Sequence, residues 1–385
     1  MEYRKFRADQ LFDGNRLYKN EKILITDSTG KIIDLVNAMD VEEVEPAESG
    51  ILSPGFVNCH CHLELSHLKN VIPPHTGLID FLCMVVSKRN FDSKIIKQAI
   101  ENAEKEIFEN GTVAVGDISN TADTAFIKNK SKIRWQNFVE VLNFTDDKLE
   151  ENLSNYKNVA NQLIVDNPTT LVPHAPYSIS PKTFQLLNQL SKNQIISIHN
   201  QENPAEDELF KTGGGAYLKL FQLFGMEKSP FPITNKSSVR SYLPYFNNGQ
   251  TVLLIHNTFM SEEDIVWANN YASSNQIKLV YCFCINANLY IENKTPKLEN
   301  FIKHNCNIVL GTDSYSSNWQ LNIAKEIQTV RKQFPSIPLE TILQWSTKNG
   351  ANALAMENKF GCFEKGTTPG VVLIANDFSS SKRLI

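Results

Sequence analysis

Eight short apolar runs, separated by longer amphipathic stretches, constrain the fold of this 385-residue chain more than any other feature. They are 55–62 (GFVNCHCH), 112–119 (TVAVGDIS), 138–144 (FVEVLNF), 169–176 (TTLVPHAP), 194–200 (QIISIHN), 251–257 (TVLLIHN), 277–284 (IKLVYCFC) and 307–313 (NIVLGTD). Near-continuous Val, Ile and Leu marks parallel strands buried on both faces, because crossover helices cover both sides of such a sheet. Helical patterns such as 95–108 (IIKQAIENAEKEIF) and 321–334 (LNIAKEIQTVRKQF) lie between runs, so the α/β class and a (β/α)8 TIM barrel are expected. The two ends differ from this middle. KILITDSTGKIIDLV predicts a hairpin turning at Asp27-Ser28-Thr29-Gly30, and Gly366 and Gly370 bracket a turn before the apolar run Val371 to Ala375. The expected division is a barrel over 54–357 and one small β-sandwich domain made of 1–53 plus 358–385. The length agrees, since a barrel takes about 250 residues and leaves room for one appendage.

Charge and cysteine content narrow the partners. Thirty-eight basic residues against 42 acidic ones give a net charge of −4, and no run of five like charges occurs. This carries no electrostatic footprint for nucleic acid or acidic membranes, so a small-molecule partner is expected. No stretch approaches 18 apolar residues, and the opening MEYRKFRADQ lacks the apolar core of a secretory signal; a cytoplasmic setting without membrane association is expected. Seven cysteines, an odd number, fit reduced thiols better than a disulfide framework. The C-x-C pairs Cys59/Cys61 and Cys282/Cys284 lack structural-zinc spacing and read as buried strand thiols.

The runs end on polar residues: His60 and His62, His174, His199, His256 and Asp313. In a parallel barrel the C-terminal strand ends share one rim, where active sites sit. Eight histidines in 385 residues give about 0.17 H-x-H pairs by chance, so His60 and His62 alone carry little weight. On a strand, however, the period of two puts both imidazoles on one face and Cys59 and Cys61 on the other. A single strand-end histidine is ordinarily a satisfied core residue; five of eight at strand ends favour a shared metal site. Glu202 follows His199 in H-N-Q-E, where a carboxylate can reach a water on the ion without ligating it; its bland role is a solvated acid of the stretch 202–208. Zinc with three or four N/O ligands lowers the pKa of its water from 15.7 to about 7, and the proton needs an acceptor. Asp313, in G-T-D-S-Y, could ligate and take that proton, or simply cap a helix. His67 shares a loop with Glu64 and Ser66 and is a candidate contact, whereas His75 and His304 read as structural. The long connection 201–250, with Gly213, Gly214 and Gly215, is a candidate specificity element.

Together, S-P-G-F-V-N-C-H-C-H-L-E-L-S, H-A-P-Y-S-I-S, S-I-H-N-Q-E, L-I-H-N-T and G-T-D-S resemble the amidohydrolase superfamily, in its deaminase and chlorohydrolase branch, over nearly the whole chain. The resemblance implies one divalent metal, zinc with iron as the alternative, held by His60, His62, His199 and Asp313. It also implies Glu202 as proton shuttle, His256 as the residue orienting hydroxide, and a further catalytic part for Asp313. His174 and Tyr177 of H-A-P-Y-S, with Glu64 and His67, become the expected substrate contacts. Two departures matter. Cys61 stands where relatives carry a small residue, and C-F-C-I-N-A-N-L-Y lacks the Pro and Ser of the usual C-P-x-S-N, which leaves pocket shape and substrate open. The H-L-E-L-S-H and N-P-A-E-D-E-L-F segments are closest to aminodeoxyfutalosine-type deaminases, in a branch that includes S-adenosylhomocysteine and guanine deaminases.

The expected reaction is hydrolysis of a non-peptide C–N bond, namely deamination of an amino-substituted, purine- or nucleoside-like heterocycle by metal-bound hydroxide. Three rivals stand beside it. A two-metal cyclic amide hydrolase would need a bridging lysine or glutamate at the fourth run, which offers His174 and no lysine. A triazine-type chlorohydrolase often lacks the shuttle glutamate, and a catalytically dead binding scaffold typically loses ligands that this chain keeps. Relatives are commonly homodimers, so the resemblance extends to that state.

Overall fold

The computed structural model describes residues 3–41, 48–164 and 167–385. A strand forms in each of the eight apolar regions: β1 (Phe56–Cys61), β2 (Thr112–Ser119), β3 (Arg134–Val141), β4 (Thr169–Pro173), β5 (Ile195–Asn200), β6 (Thr251–His256), β7 (Lys278–Phe283) and β8 (Ile308–Leu310). They pair in parallel as two four-stranded sheets, β4-β3-β2-β1 and β5-β6-β7-β8. Backbone bonds also run between the sheets. His199 N donates to the His174 carbonyl at 3.0 Å, and Asp313 N donates to the His60 carbonyl at 3.0 Å, where Cys61 and Asp313 form a parallel bridge. The architecture is α/β and TIM-barrel-like.

Burial explains the runs. Every residue of β2 is buried, as a strand covered on both faces requires. Outside it packs the helix Ser93–Glu109, whose N-cap Asp92 accepts from Lys94 N and whose buried stripe is Ile100, Ala103 and Ile107. These side chains meet Cys61, Val115 and Trp135, so Cys61 faces the helix layer, away from the neighbouring imidazoles. Ile107→Ala would leave a cavity there and cost about 2–5 kcal/mol.

One boundary differs from expectation. β3 begins at Arg134 and ends at Val141, four residues before the start of the apolar run and three before its end. Gln136 and Asn137 are buried in it, and Asn137 accepts from Lys128 Nζ at 2.8 Å while donating to the Leu163 carbonyl at 3.0 Å. Polar strand residues satisfied by tertiary partners are invisible to an apolar count.

The chain ends share a sheet. Its order is Ser381–Arg383, Val371–Ile374, Glu48–Pro54, Ala8–Phe12, Leu17–Lys19, with Val371–Ile374 antiparallel to Ile51–Pro54. A second sheet joins Tyr3–Phe6, Lys22–Asp27 and Ile32–Asn37 and contains the expected hairpin. Gly30 supplies the positive φ of +86° in that turn, and Asp27 Oδ1 accepts from Thr29 N at 2.8 Å. Leu11 and Leu52 of the first sheet and Leu24 and Ile32 of the second pack in one apolar cluster. All seven cysteines are free thiols. Among the described residues no helix is long and apolar enough to cross a membrane.

Candidate metal centre

The strand ends bring the predicted ligands together. His60 and His62, two apart on β1 and its exit, point Nε2 atoms 3.2 Å from each other, and Asp313 Oδ1 lies 3.6 Å and 3.4 Å from them. The His199 ring at the end of β5 centres 5.0 Å from that of His60 and 5.4 Å from that of His62. His60, His62 and His199 form one group of potential ligand atoms within 4.8 Å of one another, and His60, His256 and Asp313 form another. His256 Nε2 stands 3.6 Å from Glu202 Oε1 and 4.0 Å from Asp313 Oδ2.

The backbone is held in uncommon conformations to achieve this. Gln201, His256 and Asp313 adopt φ of +42°, +70° and +59°, the left-handed region, at or just past the ends of β5, β6 and β8. Each such residue costs about 1–3 kcal/mol unless its surroundings fix it, and these conformations cluster at functional sites. Bonds to neighbouring strands do the fixing: Asn257 N donates to the Asn200 carbonyl, and both Thr312 N and Asp313 N donate to the His60 carbonyl, all at 3.0 Å. Gly311 is required for the close approach of β8 to β1, because a Cβ there would sit 2.8 Å from that of His60.

Other polar groups orient the side chains. His199 Nδ1–H donates to the His174 carbonyl at 2.8 Å and His256 Nδ1–H to Asn288 Oδ1 at 2.8 Å, which leaves both Nε2 atoms facing the cluster. Ser317 Oγ donates to Asp313 Oδ2 at 2.6 Å, so Oδ1 remains toward the histidines. Burial pushes His62 and His199 well below the ordinary imidazole pKa, and lowers His174 and His256 to about 4. The two carboxyls move in opposite directions. Burial raises both, but at Asp313 the hydrogen bond from His60 and the fields of His62 and His256 outweigh it and hold the group below the usual range. At Glu202 burial, reinforced by the charges of Asp313 and Glu292, holds the carboxyl well above the usual carboxylate range.

A pocket of about 860 Å3, including its open mouth, covers the cluster. Its floor is His62, His199, Glu202, His256 and Asp313. One wall is the face Leu78, Phe81, Leu82, Val85 and Val86 of the helix Leu78–Lys88 and its exit. Phe144 and Phe224, whose rings stack at 4.9 Å, continue that wall. Leu220 and Phe224 come from the long connection 201–250, which folds as helices Pro204–Thr212, Tyr217–Leu223 and Ser238–Tyr242.

The sequence model of the amidohydrolase family matches residues 51–383. The chain belongs to that family. Among its relatives, the adenosine deaminase of Helicobacter pylori is 26% identical over 319 residues, 81% of this chain and 76% of the relative. The 5'-deoxyadenosine deaminase of Methanococcus aeolicus is 27% identical over 387 residues, 95% of this chain and 81% of the relative. Solved structures with the same fold include H. pylori aminofutalosine deaminase in complex with methylthio-coformycin, at TM-score 0.77 and 22% identity over 96% of this chain and 92% of that one. A Xanthomonas campestris adenosine deaminase with bound zinc matches at TM-score 0.73 and 19% identity, over 97% of this chain and 84% of that one.

In this amidohydrolase the expected substrate contacts divide. His174 and Tyr177 line the pocket, with their rings 5.9 Å apart. Glu64 and His67 do not. The buried Glu64 carboxylate accepts from Arg89 Nη2 at 3.3 Å, from the backbone N–H groups of Asn120 (3.0 Å) and Thr121 (2.9 Å), and from Thr121 Oγ (2.9 Å). The His67 ring lies between the carbonyls of Glu64 and Arg89. Four residues were missed by sequence reasoning: Arg89 and Glu140 line the pocket, and Asn288 and Ser317 stand behind His256 and Asp313. Glu140, buried on β3, lines the pocket, accepts from Asn120 Nδ2 at 3.1 Å and has Oε1 3.4 Å from His199 Nδ1. Its signal was a lone charge inside the apolar run FVEVLNF.

Proposed function

We propose that this amidohydrolase deaminates an amino-substituted, purine-like heterocycle hydrolytically, with one divalent ion held by His60, His62, His199 and Asp313. The observation that carries this reading is the convergence of the His60, His62, His199 and His256 imidazoles on the Asp313 carboxylate, with the buried Glu202 Oε1 3.6 Å from His256 Nε2 beside them. The donor set fits a cation, because the Nε2 atoms of two imidazoles 3.2 Å apart, with a carboxylate oxygen within 3.6 Å, concentrate electron density that a metal neutralises. Imidazole nitrogen with one carboxylate suits zinc, and iron as the alternative; zinc in a relative of the same fold supports that choice. Such an ion supplies a Lewis acid that brings the pKa of water to about 7.

The chain's own groups then account for the proton movements. Asp313 takes the proton of the attacking water. Glu202 gives its proton to the ring nitrogen next to the amino-bearing carbon, so that the carbon accepts the new C–O bond. Glu202 next relays the proton from Asp313 to the amino group, the C–N bond breaks and ammonia leaves, and the proton of the new hydroxyl returns to Glu202 as the ring carbonyl forms. His256, fixed by Asn288, holds the attacking oxygen through Nε2. His174 and Tyr177 border the ring. A two-metal amide hydrolase would draw on the group Glu140, His174 and His199, but His199 Nδ1 is already bonded to the His174 carbonyl.

We infer further that the two parallel sheets close into a single (β/α)8 barrel over 54–357, on the support of the backbone bonds linking β4 to β5 and β8 to β1. The ends, 1–53 plus 358–385, are read as one sandwich domain on the support of their shared sheet. The seven free thiols support a cytoplasmic setting. Ammonia release by zinc-loaded protein from purine nucleosides, guanine, pterins, cytosine and triazines tests the reaction. Release from purine nucleosides is expected; chloride release from chlorotriazines without any ammonia, or no turnover at all, overturns the reading.

A further inference from the structure

His199, His256 and Asp313 are each held through the side chain by a group outside the cluster, whereas the two imidazoles of β1 are not. His60 Nδ1 is buried without a hydrogen-bond partner among the described residues. The His62 ring has its one hydrogen-bond contact there with His60 Nε2, inside the cluster itself. Where the His62 ring points is therefore set by its backbone, which leaves β1 at φ −119° and ψ 79° and enters the 3-10 turn Leu63–Leu68. His62 provides no side-chain cap for that turn. Instead the Leu63 N–H donates at 2.8 Å to Asp117 Oδ1, from the neighbouring strand β2. Asp117 Oδ2 forms an ion pair at 2.5 Å with Lys128 Nζ, from the short helix Ala125–Lys128. The ammonium also donates to Asn137 Oδ1 at 2.8 Å and to Ser119 Oγ at 3.3 Å, which occupies its three N–H groups, and it lies 5.3 Å from the centre of the Trp135 ring. The Lys128 and Asp117 side chains are 1% and 0% exposed, and neither lines the pocket. Burying two full charges contributes little stability, because desolvation offsets their attraction and apolar residues of the same volume commonly do as well. A role other than stability is left for the pair, and its one outward bond goes to the backbone joining His62 to Leu63.

We propose that Asp117 and Lys128 are positioning residues for the metal centre: Lys128 fixes the Asp117 carboxylate, Asp117 holds the Leu63 N–H, and His62 is thereby set as a ligand before an ion arrives. A ligand fixed in advance loses less freedom on binding, which raises affinity without any added contact to the ion. Partners that orient metal ligands from behind typically carry 10- to 100-fold in metal affinity. The pair reaches the ion only through the chain between Asp117 and His62, so its effect belongs to metal binding and not to substrate contact.

This inference rests on the one-ion reading of the cluster, and its test separates the two without any substrate. Competition with a chromophoric chelator gives the zinc Kd of metal-free wild type and of two double variants that leave neither charge unpaired, Asp117→Asn with Lys128→Met and Asp117→Leu with Lys128→Met. Asparagine keeps an oxygen that can accept from Leu63 N; leucine keeps a similar volume and removes it. The variant with Asp117→Leu should bind zinc roughly 10- to 100-fold more weakly than wild type, and the variant with Asp117→Asn should lie between them. Thermal melting of the metal-free proteins runs beside this, because a merely structural pair would lower the melting temperature and leave the zinc Kd of the folded protein unchanged. Wild-type affinity in the variant with Asp117→Leu, or equal weakening in both variants, overturns the inference and leaves the metal site intact. Hydrogen exchange of the wild type keeps the test decisive even where a variant does not fold. The Leu63 amide should be as protected as the amides of β1 before zinc is added; free exchange there that slows only with zinc would mean that the ion orders the turn, and would overturn the inference. Wild-type protein that binds no zinc overturns the one-ion reading and the inference with it.

Discussion

The floor and the wall of the pocket are built on opposite principles. The floor groups sit at or just past strand ends and are buried, and three of them are tied by a second bond to a neighbouring strand or loop: His199 to the His174 carbonyl, His256 to Asn288, Asp313 to Ser317 and to the His60 carbonyl. The wall belongs to the helix Leu78–Lys88, its exit and the connection 201–250, with half-buried Leu82, Val85, Val86 and Phe144. Its contacts are apolar and directionless apart from Arg89. On the proposed reading, chemistry is fixed by hydrogen bonds that permit one geometry, whereas selection of substrate is left to a surface that substitution can reshape at little cost to the chemistry.

Breaking the floor should be the severe intervention. Removing the ion with a chelator should abolish ammonia release, and one added equivalent of zinc per chain should restore it; activity that persists in metal-free protein would detach the reaction from the cluster. Glu202→Gln keeps shape but cannot relay a proton, so kcat should fall about 10²–10⁴-fold with metal content unchanged, measured by steady-state kinetics beside elemental analysis. Asn288→Ala frees the His256 ring, and a fall of about 10–100-fold in kcat is expected, with KM little altered. The wall should respond differently. Phe144→Ala should change the ratio of kcat/KM between large and small heterocyclic substrates about tenfold, mostly in KM, with metal content and the effect of Glu202→Gln preserved. If it instead lowered kcat on every substrate, floor and wall would not be separable.

A smaller effect concerns stability behind the floor. Burial raises the Glu206 pKa to about 8 from an ordinary 4.5, so the folded state holds a proton that the unfolded chain has released. Stability from this group is therefore greatest below about pH 4.5 and declines as pH rises toward 8. Glu206→Gln should flatten the melting-temperature profile by a few degrees over that window; an unchanged slope would mean Glu206 is ionised in the fold.

The floor was legible because it obeys local rules. Apolar runs ending in His or Asp place polar groups on one rim whatever the intervening helices do, and the strand period alone separated His60 and His62 from Cys61. The wall followed no local rule. Glu64 and His67 stand in a short 3-10 turn, Leu63–Leu68, and nothing in that segment says that Glu64 faces the backbone of Asn120 and Thr121. Arg89, 25 residues on, lines the pocket and meets Glu64 only in the fold. Asn288 lies in the segment where C-F-C-I-N-A-N departs from relatives; the departure was visible, but its partnership with His256 depends on how the turn after β7 packs. Glu140 was hidden inside an apolar run whose true strand began four residues earlier.

The central claim is that the strand-end cluster holds one ion and that His60, His62, His199 and Asp313 hold it. Metal analysis of the purified protein and of Asp313→Ala tests this most directly. One equivalent of zinc or iron per chain, lost in Asp313→Ala while the fold melts cooperatively, is the predicted result. Two equivalents per chain, or one that Asp313→Ala retains with unchanged affinity, would contradict it.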